Sequence, residues 1–404
     1  MSVIPAVVLG SGPASWSLAA ALTDRGTDVL LIAPDPEASW PQTYGMWTYQ
    51  WPVAMVRQSG IANPFSRWWD SVVVIGDRPH DVGRAYGVLA NERVRLGFRA
   101  AAELSGHLNT LPGAALGVEV ADDACVVKLA DGKTVRARLV FDGTGANSKL
   151  VARETTAPST VEQTAFGLKV RARSTPLSED TCILMDWRGP KRRSASFLYA
   201  LPFGGGRWLF EETSLARRAG LELGELETRL RERLDDLGVV IDEEEGTESV
   251  SFPMDLPMPR VGQRVIPIGA AAALLHPATG YSVAASFRSA LALADAVADS
   301  TALTAREATA RCWAALWSTD RRKARRLESY GLDRLLTMDQ SDTRQFFDTF
   351  FTLDQKQTAA YLGGEAGVAE LRRVMWSMFR KSPTQLQRRL ATGNPVVLAR
   401  SLLG

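Results

Sequence analysis

Val3-Ile4-Pro5-Ala6-Val7-Val8-Leu9 runs directly into Gly10-Ser11-Gly12-Pro13-Ala14-Ser15, and the residues through Leu22 then follow a helical pattern. An apolar, β-branched run of strand length, a glycine turn and a helix, in that order, predict the opening of a dinucleotide-binding fold. Gly10 supplies the tight bend, and Gly12 lacks the Cβ that would hold a pyrophosphate away from the chain. Pro13, Ala14 and Ser15 open the helix, where unpaired N–H groups and the dipole favour an anion. Ser15 stands where glycine or alanine ordinarily permits close helix packing. Thr27 to Ile32 predicts the second parallel strand. The acid expected at its end to hold a ribose is replaced by Ala33, which leaves Asp35 as the nearest carboxylate.

Two later stretches repeat the passage from strand to glycine. Val135 to Phe141 predicts a strand ending in Asp142-Gly143-Thr144-Gly145, after an alternating stretch from Val118 to Leu129 and a turn at Asp131-Gly132. Val265 to Ile268 leads into Gly269-Ala270-Ala271-Ala272, then His276-Pro277-Ala278-Thr279-Gly280-Tyr281-Ser282 and a long Ala-rich helix. The dipole at that helix start suits negative charge on a reduced flavin ring. Gly204-Gly205-Gly206 lies between two strand patterns with no helix after it, so it predicts a hairpin, and one bound dinucleotide is expected rather than two.

The 404 residues, 46% hydrophobic and 23% charged, fall in the globular class and suggest two or three domains. Forty-seven Lys and Arg against 45 Asp and Glu give no reason to expect nucleic acid as partner. Cys125, Cys182 and Cys312 have neither metal-ligand spacing nor an even count for disulfides, so no metal is expected and a reducing compartment fits. The apolar opening lacks the charged leader of a secretory signal, and no later apolar run is long enough to span a bilayer. The expected organisation is a discontinuous nucleotide domain (1–40, 85–160 and 250–300), a mainly β substrate domain (41–84 and 161–249) and a C-terminal helical lobe (301–404).

Together the three glycine stretches resemble the FAD-binding fold of aromatic hydroxylases and related flavoproteins. Five further motifs narrow the resemblance: Pro41-Gln42-Thr43-Tyr44-Gly45-Met46-Trp47, Met185-Asp186-Trp187-Arg188, Phe197 to Phe203, Leu209-Phe210-Glu211-Glu212-Thr213-Ser214-Leu215 and His276 to Ser282. They are similar to those of flavin-dependent lycopene β-cyclases over residues 1 to about 300, and Phe346-Phe347-Asp348-Thr349-Phe350-Phe351 extends the likeness. Ala33 and the order Leu209-Phe210 depart from the family pattern. The resemblance implies ring closure at the ends of lycopene, with reduced FAD required and NAD(P)H as a transient reductant. It also favours Glu211, the first of the pair, as the essential acid or base. In the cofactor site it places Gly10, Gly12, Pro13, Ala14, Ser15, Asp35, Asp142, Gly143, Gly145, Gly269, Pro277, Thr279, Gly280 and Tyr281.

Acid-driven cyclisation needs a proton source, an electron-rich surface beside a carbocation and a dry apolar cavity. Arg207 to Thr213 reads as a strand, so Glu211 and Glu212 face opposite sides. With Leu209, Glu211 and Thr213 on the cavity side, Glu211 is the reactive carboxyl, and burial would raise its pKa. Glu212 is the second candidate, on the side of Trp208 and Phe210. A Glu-Glu pair taken alone is more ordinarily a surface ion pair, here with Arg217 and Arg218. His276 is a candidate for proton transfer or for shaping the flavin loop. Tyr44, Trp47, Tyr199 and Phe203 are candidates to line a polyene tunnel, although aromatic residues at strand spacing are commonly plain core. Whether Glu211 or the reduced flavin delivers the proton, and whether one or both ends close, stay open.

The last third is helical in pattern, and residues 361–404 hold seven Lys and Arg against two acids, mixed with Trp376, Met378, Phe379 and Leu398. Such a mixture is more ordinarily a solvated charged face over an apolar one, and it is the implied substrate, which lives in the bilayer, that leads to the expectation of a cytoplasmic protein bound peripherally to anionic lipid. Two other readings fit the same residues. An FAD monooxygenase or polyprenyl reductase on this scaffold would consume nicotinamide and change the substrate's mass. A noncatalytic carotenoid or flavin carrier would retain ligand without turnover.

Overall fold

The computed structural model describes residues 2–155, 160–189 and 194–391. Ile4–Leu9 runs through a seven-stranded sheet between Val29–Ala33 and Thr134–Asp142, parallel to both. Ala6 to Leu9 are buried, covered on both faces, which is why this strand reads as a continuous apolar run instead of alternating. Leu108–Pro112 extends the sheet beyond Val29–Ala33. Thr134–Asp142 is forked: its first half pairs antiparallel with Cys125–Leu129, and its last three residues pair parallel with Val265–Pro267. The stretch expected to alternate from Val118 to Leu129 is folded into two strands, Ala115–Val120 and Cys125–Leu129, by a turn closed from Ala121 to Ala124. Helices Pro13–Asp24 and Val283–Ala298 pack against each other over this sheet, their apolar faces merging into one core.

The second sheet is mainly antiparallel and has eight strands. At its centre Val161–Ser174 is flanked by Arg207–Ser214 on one side and Val240–Pro253 on the other. Ser196–Gly204 and Arg207–Ser214 form a hairpin through Gly204, Gly205 and Gly206, whose φ values of +86°, +62° and +76° suit glycine alone among common residues. Helix Leu223–Asp236 covers one face of this sheet; the other face is turned toward the helical lobe and the nucleotide segment.

Tyr86–Leu89, which falls in a stretch expected to belong to the nucleotide segment, pairs instead with Gly45–Trp47 and Phe65–Trp69 in a small third sheet. From Ala305 to Ala391 the chain forms six helices. Their starts follow from side-chain caps: Thr304 with Glu307 makes a capping box, and Ser318, Asp339 and Asp354 each accept a first-turn N–H. Leu398 lies outside the described residues. Among the described residues no helix is long and apolar enough to cross a membrane.

Candidate active site

The glycine turn after Ile4–Leu9 brings the nucleotide residues together. Gly10 has φ +98°, and a Cβ there would stand 2.7 Å from the Gly143 carbonyl oxygen, so the two glycine turns touch. Gly12 is the extended N-cap of Pro13–Asp24, with Pro13 in the first helical position. A Cβ on Gly12 or on Gly145 would meet nothing within 4 Å, which leaves open ground before the free N–H groups of the first helical turn. Ser15 fits the crowded third position because its hydroxyl turns inward and donates to the Leu9 carbonyl at 3.3 Å. Asp35 is exposed beyond the end of Val29–Ala33. The open, glycine-walled helix start fits the pyrophosphate of a dinucleotide.

Asp142, expected at the cofactor, is fully buried and turned into its own loop. It accepts from Thr144 N and Oγ1 at 3.0 and 2.7 Å and from the Ser148 hydroxyl, so it shapes the turn that presents Gly143 and Gly145. Gly269 sits against Ala14, where a Cβ would come within 2.8 Å. The loop after it closes on itself, with His276 N donating to Tyr281 O and Gly280 N to His276 O, each at 2.9 Å. It then delivers Thr279, Gly280 and Tyr281 to the wall of a large cavity. Pro277, also expected at the cofactor, is buried behind this wall. Ser282 and Val283, at the start of Val283–Ala298, face the same space, so a helix N-terminus points into the cavity.

That cavity has a volume of about 510 Å³ and lies between the second sheet, the 269–282 loop and the C-terminal helices. Strand register decides what the sheet contributes. Tyr199, Glu211, Gly167 and Glu248 stand directly opposite one another on four neighbouring strands, so their side chains share one face. The row beside them is Phe197, Thr213, Ala165 and Val250, and all of these but Gly167 line the cavity. Gly167 keeps the two glutamates apart without filling the gap, since its Cβ would lie 3.6 Å from each of theirs.

Glu211 retains some accessible surface because it borders the cavity, yet protein surrounds it on every side. Burial therefore pushes its carboxyl up to about 7; the Thr213 hydroxyl, donating at 2.6 Å, pulls it down, the Glu248 charge pushes it up and Lys169 pulls it down. Glu248 is surrounded by donors: Thr43 N at 2.6 Å, Thr43 Oγ1 at 2.5 Å and Lys169 Nζ at 3.2 Å. Tyr44 and Tyr199 line the cavity, and the Tyr86 hydroxyl lies 3.2 Å from that of Tyr199. Burial raises the phenols of Tyr44, Tyr86, Tyr199 and Tyr281, which keeps all four neutral.

Four expected residues are elsewhere. Glu212 points through the opposite face of the sheet, where Arg233 grips it at 2.7 and 2.9 Å and Ser196 Oγ donates at 2.6 Å. This buried pair, neither a surface bridge to Arg217 and Arg218 nor the catalytic place expected of Glu212, turns the carboxylate away from the cavity. Trp47 is sealed behind Tyr86 and Tyr281, whose rings meet it edge-on at 5.2 and 6.0 Å. Phe203 packs beside Trp69 at the far end of its strand. His276 is buried between Glu328 and Tyr361, outside the cavity; burial pushes its imidazole down to about 4, so near neutrality it has no proton to give.

Glu248 went unread because its strand opens with the exposed acids Asp242 to Glu245, which mimic a solvated edge. The signal was its period of two with Val250 and Phe252. Tyr86, Phe346 and Phe350 also line the cavity. The Phe346 to Phe351 segment is fixed by Asp348, which accepts from His80 Nε2 and Asp77 N at 2.8 Å each while Phe346, Phe347 and Phe350 turn inward.

Comparison with known proteins bears on these features. A family model described as lycopene cyclase protein matches residues 6–388. A Deinococcus radiodurans protein described as an uncharacterized carotenoid cyclase is 34% identical over 404 residues, covering 98% of this chain and 95% of that one. Lycopene beta cyclase of Synechococcus elongatus is 31% identical over 394 residues, covering 95% and 94%. Among solved structures, a geranylgeranyl bacteriochlorophyll reductase-like protein of Thermoplasma acidophilum superimposes with a TM-score of 0.72 at 13% identity, covering 96% of this chain and all of that one. A flavin-dependent brominase gives 0.61 at 16% identity, covering 94% and 100%. The fold is thus the flavoprotein fold of the aromatic-hydroxylase kind, as the glycine stretches led one to expect. With the family match across residues 6–388 and identities of 34% and 31% over nearly the whole length of both chains, this chain is an enzyme of the lycopene cyclase family.

Proposed function

We propose that the enzyme closes the ends of lycopene, or of a related linear carotenoid, to give γ-carotene and then β-carotene by a redox-neutral, acid-initiated isomerisation. One observation carries this reading: the Glu211 carboxyl faces a cavity with aromatic walls and holds its proton up to about pH 7. Glu211 hands that proton to the terminal alkene, and the positive charge forms on a tertiary carbon. The neighbouring double bond attacks it, and a proton leaves the carbon beside the new cation. One proton enters and one departs, so the product is an isomer of the substrate.

The other side chains follow from the needs of the cation. Tyr44, Tyr199 and Tyr281 are neutral aromatic groups, whose faces stabilise a positive charge without trapping it covalently. Glu248 supplies a fixed counter-charge on the same sheet face as Glu211. The apolar walls exclude the water that would quench the cation to an alcohol. Gly10, Gly12, Gly143 and Gly145 would hold the pyrophosphate of FAD, with Asp35 within reach of its ribose and Thr279 to Tyr281 beside its ring. When bound there in its reduced form, kept so by NAD(P)H, FAD would supply an electron-rich ring to favour the cation. The enzyme works in the cytoplasm, bound peripherally to the membrane through helix Val368–Lys381, which carries the exposed Trp376 and the basic Arg373, Arg380 and Lys381.

The test is cyclisation of preformed, unlabelled lycopene by the purified enzyme under reducing conditions in heavy water, followed by product mass and ring count. Cyclic product of unchanged carbon skeleton, with one solvent deuterium for each ring, is expected. Product that has gained oxygen or hydrogen would assign an oxidoreductase, and bound lycopene without turnover would assign a carrier.

A further inference from the structure

A second cavity, of about 500 Å³, lies within the C-terminal lobe between helices Thr319–Leu335, Gln340–Phe350 and Val368–Lys381. Its lining is dominated by Val374, Met375, Met378, Phe379 and Leu390. Phe346, Phe350 and Tyr361 line this cavity and the reaction cavity alike, so the partition between the two is one layer of side chains. That layer is made of rings in van der Waals contact: Phe346 stacks on Phe350 at 6.2 Å, and Phe350 meets Tyr361 edge-on at 5.6 Å. Behind it, Gly331 has no side chain at all, and any Cβ there would collide with the Tyr361 hydroxyl. The other end of the cavity reaches Trp376, which is 61% exposed and stacks on Phe379.

We propose that this second cavity berths the distal arm of the same linear polyene whose near end reacts at Glu211. The inference rests on the cyclase reading above and adds to it the place of the rest of the substrate. A conjugated chain resists rotation about its bonds and cannot fold back into the reaction cavity, so a straight apolar path must continue from that cavity. The Phe346, Phe350 and Tyr361 wall has apolar space directly behind it. Rotamer changes of Phe346 and Phe350, whose rings have no hydrogen bonds to break, join the two spaces. The open end beside Trp376 then places the polyene's entrance on the helix that carries the basic and aromatic surface. A second ring requires the product of the first closure to withdraw and re-enter reversed.

The test fills the berth and compares two substrates carrying the same reactive end: lycopene, and a shortened acyclic polyene of about half its length. Met375→Trp and, independently, Phe379→Trp are made in the full chain, and flavin content and thermal melting establish that each is folded. Both variants should lose lycopene cyclisation by at least about tenfold, the scale set by excluding a few carbons from an apolar pocket, while turnover of the short polyene stays near that of the parent. Unchanged lycopene turnover in folded variants overturns the proposal. Equal loss on both substrates overturns it too. If the unaltered enzyme cyclises neither substrate, the reading of its function fails first, an outcome separable from the others because it needs no variant.

Discussion

Glu211→Gln isolates the carboxyl on which the proposed chemistry depends, because it keeps the shape and removes the ionisable proton. A carboxyl raised from 4.5 to about 7 on folding binds its proton more tightly in the folded state than in the unfolded chain. Between those two values the folded state holds more protons, so stability falls as pH rises. At 1.36 kcal/mol per pH unit, the full cost of ionising Glu211 in place is about 3 kcal/mol, nearly all of it felt by pH 8 and only about 1 kcal/mol of it at pH 5. The glutamine variant is free of this cost. Relative to the parent it should therefore gain about 2 to 3 kcal/mol between pH 5 and pH 8. At roughly 2 cal/mol/K per residue, 404 residues convert that gain into about 3 °C of melting temperature. Thermal unfolding of both proteins at matched flavin loading, from pH 5 to pH 8, reads it directly. Ring closure should be lost by about 10² to 10⁴-fold in the same variant, the usual contribution of a positioned acid. Melting curves that run parallel across this pH range would show that Glu211 is ionised throughout, and the acid assigned here would be wrong.

Glu248→Gln removes a negative charge that holds Glu211 up and releases Lys169, which pulls it down, so the alkaline fall of the rate should move to lower pH; a pH–rate profile shifted upward would contradict this. Gly12→Asp places its Cβ in open space, so the chain should fold normally, but a carboxylate at the helix start competes with a pyrophosphate; the purified variant should be colourless, and a fully yellow protein would move the dinucleotide elsewhere. Arg233→Ala leaves Glu212 buried without its cation and should cost about 3 to 5 kcal/mol in denaturant unfolding, while turnover per folded molecule is kept. A large loss of turnover in folded Arg233→Ala would return Glu212 to the reaction.

The parts of this molecule legible in its sequence are those fixed by local rules. Gly10, the Gly204 to Gly206 hairpin and the strand alternation at Arg207 to Thr213 each follow from a backbone angle or a period of two, and a few neighbouring residues specify them. Side-chain direction across long separations was not legible. Trp47 and Tyr86 are 39 positions apart, and nothing in either neighbourhood says which of the two rings will stand in front. His276 lies in a loop whose other members reach the cavity, yet the loop's own hydrogen bonds turn its ring toward Glu328 and Tyr361, residues of the distant helical lobe. Asp142 reads as a ligand by position, but Thr144 and Ser148, two and six residues on, claim both of its oxygens.

The two adjacent glutamates show how the fold separates what the sequence joins. Successive strand positions must face opposite sides, so Glu211 and Glu212 enter different environments one residue apart. On the back of the sheet Arg233 holds Glu212 with a two-pronged grip, away from the cavity. On the cavity face the nearest cation is Lys169, and its ammonium is drawn to Glu248 at 3.2 Å. Glu248 thereby acts on Glu211 twice, by its own charge and by cancelling the lysine that would otherwise strip the proton from it. Burial is the largest influence holding the proton on Glu211 and the Glu248 charge adds to it, so both favour the acid proposed here against the pull of Lys169, on the same strand as Gly167.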